Sequence, residues 1–457
     1  MNRFVVTISS VVSGRSLWLL LIFTSQAYLF GLSSFWMIPG YLIIEFLMFW
    51  FYAPRLKKFA EKNDCITIPD FFSARFKDNS GYLRVIIAIV FVIFMITFIP
   101  YLLIYGGKFL YFNFGINNST AIILVAVILL FYSIIGGFRA ISVSDILLSI
   151  VLLLVFLILP VFTIIDFGGL HEFQTRLTNI DQKLYSPLAL STSAIIGFLG
   201  LCLASPGNPH IIVRYMSIND PSDFKWAAIV GTIWSTILAS GAFVCGIMAR
   251  VYFPNIESIP GNDSANVFLT LSNAVLPAIL IGLVLVAFLG SLMSTASSYL
   301  LIVSSSVIKD LYENILKKKQ KNSGDKLMFQ SRIALIVIVY IAIILSLFLN
   351  KYISGFMLDI WVALAASLGP ITILSIFWEK TTKIGVITGL FTGIVTVILW
   401  KIIPELNRFP FELIAGFFLS LITTILVSLI EIQTRKTPEN IFLKKVKNFK
   451  PVFEEGN

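Results

Sequence analysis

A row of hydroxyl side chains lies on one long apolar segment at 281–312, which contains the sequence LMSTASSYL. Ser291, Ser294 and Thr295 are spaced i, i+3 and i+4, so they share one face of a helix. A buried hydroxyl oxygen can replace one water around a small hard cation, and three converging oxygens would suit Na⁺. Serine and threonine are also common small packing residues between membrane helices, so this segment alone leaves both interpretations open.

Two apolar segments are interrupted by residues that a regular membrane helix disfavours. The first contains SSVVSGRS at 9–16, and the second ends in ASPGNP at 204–209. Prolines and glycines in the second interruption cannot continue a regular helix. Interruptions at corresponding positions in two halves indicate a transporter site between inverted repeats. Two ordinary kinks are the alternative interpretation.

The composition places the chain in the membrane. Hydrophobic residues make up 58% of the chain and charged residues 13%, with a mean hydropathy of +0.92. The uncharged run at 146–165 is long enough to cross ~30 Å of hydrocarbon, and similar runs recur. We therefore expect an all-α polytopic membrane protein. The three cysteines and two histidines have no metal-ligand spacing, and no basic face belongs to a nucleic-acid recognition fold.

Twelve apolar segments are long enough to cross the membrane, and we number them spans 1 to 12. They lie near 4–31, 33–54, 82–113, 118–136, 142–166, 187–206, 224–252, 277–312, 330–349, 354–377, 382–403 and 409–433. With a cytoplasmic N terminus, 26 of the 34 Lys and Arg residues face the cytoplasm and seven face outward. This asymmetry predicts that both termini are cytoplasmic. We expect one transmembrane domain at 1–435 and a cytoplasmic tail at 436–457.

Four segments resemble motifs of the sodium:solute symporter family, and they occur in the family's order. These segments are YAPRLKKFAEKNDCITIPDFFSARF at 52–76, YSIIGGFRAISVSD at 132–145, NPHIIVRYM at 208–216 and LMSTASSYLLIVSSSVIKDLY at 292–312. The resemblance is closest to sodium/proline symporter-like members. It implies a LeuT-type fold of five-plus-five inverted repeats, with core repeats at about 1–167 and 187–377 and peripheral helices at 382–433. It also implies Na⁺-coupled import of a small organic solute across the cell membrane.

The resemblance assigns a Na⁺ site by residue. Its ligands would be the hydroxyls of Ser291, Ser294 and Thr295, the backbone carbonyls of Val12 and Arg15 and, by association, Asp145. An aspartate inside a span is costly unless it meets a cation or a partner. Asp145 could instead form a structural ion pair with Arg139 or Arg15.

The solute site is expected at the two interruptions, where helix termini would favour a carboxylate. The residues assigned to it are Ser13, Gly14, Ser16, Trp18, Ser205, Asn208 and Pro209. The proline symporters place an aspartate at the position of Gly14, and aromatics at those of Leu201 and Ser205. These departures make proline doubtful and favour another amino acid or small carboxylate. The chain also begins about where the family's first N-terminal span ends.

Three other polar residues fall inside spans. Arg15 could bind a solute carboxylate, could replace part of the cation site with Asp145 as counter-ion, or could reach the cytoplasmic vestibule. Glu45 is expected to form a buried pair or hydrogen bond rather than to couple ions. We expect His210 to be a satisfied interior or vestibule histidine rather than a proton carrier. A short helix at 66–76 is expected to lie on the membrane surface through its phenylalanines.

Rival functions remain at this point. The chain could be a transporter-like sensor that binds solute without moving it, or a Na⁺-independent or inactive truncated homologue. An enzyme is not expected, because no nucleophile–base, paired-carboxylate or phosphate-binding arrangement lies at a plausible depth. The expected partners are a small solute, Na⁺ as the coupling ion and the lipid bilayer, without nucleic acid. The sequence does not define the oligomeric state.

Overall fold

The computed structural model describes residues 1–180, 184, 186–313, 324–349, 353–407 and 412–434. Those residues form helices joined by short connections, and no strand occurs among them. Nine described helices are long and apolar enough to cross a membrane, and one bent pair of shorter helices makes a tenth span. The tail predicted at 436–457 lies outside the described residues. The division into one domain with two core repeats stays a prediction.

The helices reproduce the twelve predicted spans once two long ones are divided. The helical stretch Arg3–Lys62 is interrupted at Gly31, and Asn118–Phe167 is interrupted at Gly137. Both glycines have a φ of +58°, a conformation that side-chain-bearing residues rarely adopt. At Gly31 a Cβ atom would also lie 2.4 Å from the carbonyl oxygen of Leu184. These two glycines therefore separate span 1 from span 2 and span 4 from span 5.

The remaining helices follow the predicted order. Span 2 contains Met37–Leu47 and continues through Met48–Tyr52 into Ala53–Lys62. Spans 3 and 7 to 12 are Tyr82–Phe114, Phe224–Tyr252, Ala278–Ser305 with Ser306–Tyr312, Gly324–Leu349, Ile353–Phe377, Lys383–Ile402 and Glu412–Thr434. Shorter helices outside the spans are Ile68–Arg75, Leu170–Ile180 and Val267–Val275.

Both predicted interruptions are present. Span 1 consists of Arg3–Ser13 and a second helical stretch at 16–30, and Arg15 between them has the non-helical angles φ −140° and ψ −21°. Span 6 runs from Thr192–Gly200 through a 3₁₀ turn to Asn208, which is extended, and then into Pro209–Met216. The two parts of span 6 meet at an angle of 52°. Proline suits the first turn of the second part because its missing N–H has no intrahelical partner there.

The connections that the charge count assigns to one side meet at one end of the bundle. The N-terminal amino group of Met1 donates a hydrogen bond of 2.7 Å to the carbonyl of Ser217. Arg75 Nε, between spans 2 and 3, donates to the carbonyl of Ser375 at the end of span 10 at 2.8 Å. This grouping agrees with the predicted topology, while the cytoplasmic assignment of this end still rests on the distribution of Lys and Arg.

Phe71 and Phe72 of the helix Ile68–Arg75 do not face the membrane as expected. Phe71 and Phe72 are 2% and 0% exposed, so they belong to the protein core. The N terminus of this helix is fixed by a capping box, in which Thr67 and Asp70 each bond the other's backbone N–H. The phenylalanine pattern could not distinguish lipid from protein, because both are apolar environments.

Candidate functional site

A cavity of about 60 Å³ lies where the two interrupted spans meet span 8. Span 1 contributes Gly14 and Arg15 from its break, and Trp18 from the turn after the break. Span 6 contributes His210, two residues after its extended Asn208. Span 8 contributes Thr295, one of the predicted Na⁺ ligands. The two breaks and the hydroxyl face therefore border the same space.

Four aromatic side chains from three spans also enclose this cavity. Phe98 and Tyr101 of span 3, Tyr299 of span 8 and Trp361 of span 10 all line it. The ring centroids of Phe98 and Tyr299 are 5.1 Å apart, which is a typical aromatic contact. Sequence reasoning missed this enclosure, because 14% of the chain is aromatic and the spacing of these residues carries no local signal.

The residues predicted to bind solute divide into three groups. Gly14 and Trp18 line the cavity directly. The Oγ atom of Ser16 and the Oδ1 atom of Asn208 are buried and have no hydrogen-bond partner among the described residues. The side chain of Ser205 is buried and interacts with that of Tyr41. These three residues lie outside the set that lines the cavity directly.

The other two predicted solute residues have structural partners. Ser13 Oγ lies 3.1 Å from Ser298 Oγ of span 8, so it helps to join those two spans. Pro209 is buried as the first residue of the second part of span 6, where it fixes the start of that helix. All seven assignments to the solute site stay predictions.

The hydroxyl face of span 8 has the chemistry that a Na⁺ site requires. Ser291 Oγ donates to the carbonyl of Ala287 at 2.7 Å, and Thr295 Oγ1 donates to the carbonyl of Ser291 at 2.9 Å. A hydroxyl that gives its hydrogen to its own helix keeps its oxygen lone pairs for a cation. Ser294 Oγ donates to a carboxylate oxygen of Asp145. These residues fit Na⁺, and their assignment as ligands stays a prediction.

The two backbone carbonyls predicted as ligands lie at the break in span 1. The carbonyl of Val12 accepts from the N–H of Arg15 at 3.1 Å, and the carbonyl of Arg15 accepts from the N–H of Leu19 at 2.7 Å. Each carbonyl oxygen has two lone pairs, so one hydrogen bond leaves room for a cation. Their use as ligands also stays a prediction.

Asp145 lies in a buried polar network that joins four spans. Its carboxylate is 0% exposed and accepts from Ser9 of span 1 at 2.5 Å and from Ser294 of span 8. The Nη2 of Arg214, from span 6, donates to Asp145 at 3.2 Å and to Ser298 at 2.9 Å. The Nε of Arg214 donates to Ser9 at 2.6 Å. We call this group the Arg214 network.

The predicted ion-pair partners of Asp145 were wrong. The partner is Arg214, not Arg139 or Arg15. The predicted spans left Arg214 in the cytoplasmic connection between spans 6 and 7. In the structure it is 1% exposed and lies within the helix after the break of span 6. The arginine in the NPHIIVRYM motif was the available signal, but only the bend of span 6 brings it to span 5.

Arg15 forms a second buried ion pair, which we call the Arg15 cluster. Its Nη1 donates to Glu45 of span 2 and, at 2.8 Å, to Ser235 of span 7. Ser235 Oγ donates to the same carboxylate oxygen at 2.6 Å. The guanidinium carbon lies 4.4 Å from the centroid of the Tyr41 ring, a cation–π contact.

The Arg15 cluster decides among the hypotheses for its charged residues. The expected buried pair of Glu45 is confirmed. A counter-ion role for Asp145 towards Arg15 was wrong, and so was a side chain extended into the vestibule, because Arg15 is only 7% exposed. Arg15 also lines the cavity, so a contact with solute remains compatible with its position.

His210 was expected to be a satisfied interior or vestibule histidine, and its interior position agrees with that expectation. Neither ring nitrogen has a hydrogen-bond partner among the described residues, although the residue is 2% exposed. Its ring contacts that of Tyr299, with centroids 4.9 Å apart. His210 thus lines the cavity without a hydrogen bond from its ring nitrogens to another described residue.

Comparisons with known proteins agree with this architecture. A model of the sodium:solute symporter family matches residues 1–393. The high-affinity proline transporter PutP of Bacillus subtilis (strain 168) is 30% identical over 93% of this chain and 90% of its own length. Sodium/proline symporter 2 of Staphylococcus saprophyticus is 29% identical over 93% of this chain and 84% of its own length.

Solved structures support the fold. A substrate-bound, outward-open Na⁺-coupled sialic acid symporter has a TM-score of 0.79 at 20% identity, over 94% of this chain and 90% of that one. The structure of MhsT in complex with L-phenylalanine has a TM-score of 0.56 at 13% identity, over 94% and 98%. At these identities the likeness establishes the LeuT-type fold alone. The chain belongs to the sodium:solute symporter family and is a multi-pass protein of the cell membrane that imports a small solute together with Na⁺.

Proposed function

We propose that this symporter imports an amino acid or another small carboxylate, which binds in the cavity between the breaks of spans 1 and 6. The names of the curated relatives support an amino acid, and they keep proline among the candidates despite the departures at Gly14, Leu201 and Ser205. A helical segment begins after each break, and the N-terminal end of such a segment favours a carboxylate. His210 and Arg15 supply polar groups in an otherwise largely aromatic enclosure.

The observation that carries this proposal is the position of Thr295. It lines the solute cavity, and it shares a helical face with Ser291 and Ser294. A cation held by those hydroxyls and by the carbonyls of Val12 and Arg15 would therefore lie beside the solute. Binding of one would stabilise the arrangement that binds the other, which is the thermodynamic requirement for coupling.

In the proposed cycle, spans 1, 2, 6 and 7 move against spans 3, 4, 8 and 9 around this site. Filling the cation site joins span 1 to span 8 and favours the outward-open state, which accepts solute. The inward electrochemical gradient then drives release to the cytoplasm. Transport rather than catalysis is the proposed activity, because the chain belongs to a family of symporters.

Uptake into proteoliposomes tests this proposal. Radiolabelled amino acids including proline, small carboxylates and sugars are supplied with and without an inward Na⁺ gradient. We expect gradient-dependent accumulation of an amino acid or carboxylate by the wild type, and its loss in a Ser294→Ala, Thr295→Ala double variant. Ser305→Ala is the matched control, because it removes a hydroxyl from the same helix that donates to the carbonyl of Ile302.

Each alternative predicts a different result in this assay. Binding without accumulation would indicate a sensor. Accumulation that ignores both Na⁺ and the double variant would contradict the proposed cation site. Accumulation of sugars alone would retain the symporter and contradict the proposed solute class.

A further inference from the structure

The break in span 6 leaves a buried carbonyl oxygen without its helical partner. In a continuous helix the carbonyl of Pro206 would accept a hydrogen bond from the N–H of His210, four residues later. Asn208 lies between them and is extended, with φ −91° and ψ 106°, so the helix is interrupted there. Pro206 is buried, and a buried carbonyl without a partner is costly. Another donor therefore has to satisfy this oxygen.

Thr372 of span 10 supplies that donor. Its Oγ1 lies 3.1 Å from the carbonyl oxygen of Pro206, and the residue is 1% exposed. The same hydroxyl lies 2.9 Å from the carbonyl of Gly369 in its own helix, so its one hydrogen is shared between two acceptors. A threonine that bonded only its own helix would leave the carbonyl of Pro206 unsatisfied. The hydroxyl thus connects span 10 directly to the break.

Small residues on span 10 let the two backbones approach closely enough for this contact. A Cβ atom on Gly207 would lie 2.2 Å from the carbonyl oxygen of Ala365, so any larger residue would push the break away from span 10. Ala365, Gly369 and Thr372 are spaced i, i+4 and i+7, which puts them on one helical face. Close approach through small residues is typical of helix contacts in membranes. Shape and hydrogen bonding therefore hold the break at the same place.

Both spans that meet at Thr372 also line the solute cavity. Span 6 contributes His210, four residues after Pro206, and span 10 contributes Trp361, about three helical turns before Thr372. Thr372 itself does not belong to the cavity lining. A shift of the break along span 10 would therefore move His210 relative to Trp361 without removing any group from the cavity.

We propose that Thr372 is a positioning residue for solute binding, because its hydroxyl fixes the break of span 6 against span 10 and so sets the shape of the cavity between His210 and Trp361. This inference rests on the proposed solute site, but it does not depend on the chemical class of the solute. Without the hydroxyl, the binding-competent arrangement is populated less, and the apparent affinity for solute falls by that fraction.

Hydrogen exchange tests the position of the break without any solute. Thr372→Val nearly keeps the shape of the side chain and removes its hydroxyl. Backbone amides in 205–212 should exchange about tenfold faster in this variant, since a hydrogen bond that holds the break is lost. Thr372→Ser should exchange as the wild type does. Thr163→Val is the matched control, because the hydroxyl of Thr163 is equally buried and donates to the carbonyl of Leu159 in its own helix at 2.7 Å.

Uptake kinetics then connect the break to solute binding. The probe is the radiolabelled compound of the uptake panel that the wild type accumulates to the highest level, supplied at one saturating Na⁺ concentration. Thr372→Val should raise the probe concentration for half-maximal uptake by about tenfold and leave the maximal rate nearly unchanged. Thr372→Ser should restore the wild-type value. A purely structural role would instead lower the maximal rate through loss of folded protein and leave the half-maximal concentration unchanged.

Three results would overturn the inference. One is unchanged exchange at 205–212 in Thr372→Val, which would mean that the hydroxyl bonds Gly369 alone. Another is faster exchange there with an unchanged half-maximal concentration. The third is a Thr372→Ser variant that behaves like Thr372→Val.

A second variant keeps the test decisive if Thr372→Val does not fold. Thr372→Cys then replaces it, because a thiol is a weak donor, and the same comparisons apply. Absence of Na⁺-driven uptake by the wild type would contradict the proposed function, whereas the exchange measurements would still test the position of the break.

Discussion

The Arg214 network and the Arg15 cluster contain the same chemistry and connect different parts of the molecule. Each is a buried arginine–carboxylate pair bridged by a serine hydroxyl. The Arg15 cluster draws only on spans 1, 2 and 7, which are proposed to move together. The Arg214 network joins spans 1 and 6 to span 8, across the proposed line of movement, and to span 5, which belongs to neither moving group.

This difference separates two uses of a buried ion pair. A pair within one moving group can persist through the transport cycle, so it can hold spans 1, 2 and 7 together in every state. The hydrogen bonds of the Arg214 network to Ser298 of span 8 run between the groups, so they have to rearrange when the groups separate, and their free energy contributes to the balance between states. Ser294 connects the second pair to the predicted Na⁺ site, because its hydroxyl donates to Asp145.

The largest expected effect comes from leaving Asp145 without its partner. Arg214→Met should lower the free energy of unfolding by about 3–5 kcal/mol, because a buried carboxylate loses its counter-ion. Adding Asp145→Asn should recover most of that loss. Arg176→Met, whose pair with Glu172 is about half exposed, should cost only ~0.2–1 kcal/mol. Unfolding in detergent titrations measures all three, and equal losses for Arg214→Met and Arg176→Met would contradict the importance of the network.

A second experiment separates the two pairs by function. Asp145→Asn should raise the Na⁺ concentration for half-maximal uptake by about tenfold, equivalent to ~1.4 kcal/mol, since the carboxylate lies one hydroxyl away from the predicted site. Glu45→Gln should change that concentration much less, because its carboxylate bonds Arg15 and Ser235 rather than a hydroxyl of span 8. If both variants shift Na⁺ dependence equally, the two pairs do not have the separate roles that their connections indicate.

The smallest expected effect concerns Asp70, which lies in the connection between spans 2 and 3 and pairs with Arg84 and Lys309 at the ends of spans 3 and 8. Burial alone would raise the pKa of Asp70, but Lys309 and Arg84 together hold that pKa below its usual value. The charged form is therefore favoured in the fold. Its stabilisation is complete above the ordinary aspartate pKa of about 3.9, and it is lost as the pH falls through the lower folded value.

Hydrogen exchange of the helix Ile68–Arg75 measures this effect. Protection should stay constant between neutral and mildly acidic pH, and it should fall modestly once the pH drops below the ordinary aspartate pKa. Asp70→Asn should remove this dependence. A decline in protection that begins near neutral pH would assign the effect to another group.

Several features followed from the sequence because they depend on local chemistry. Apolar runs of membrane length defined the twelve spans, and Pro206, Gly207 and Pro209 marked the break in span 6. The hydroxyls of Ser291 and Thr295 share a face because helical periodicity fixes their relation. Helix interruption by glycine and proline depends on only a few neighbouring residues. The same is true of hydropathy and of helical periodicity, so all three can be predicted without knowledge of the rest of the chain.

Only the tertiary structure decided which charges meet. Asp145 and Arg214 are 69 positions apart, and Arg15 and Glu45 are 30 apart on different spans, so no local pattern pairs them. The aromatic wall of the cavity likewise combines residues from spans 1, 3, 8 and 10. In a bundle of apolar helices, many pairings bury similar amounts of hydrocarbon. The packing of all the spans therefore selects the partners of each buried charge, and the sequence by itself determines only that such partners must exist.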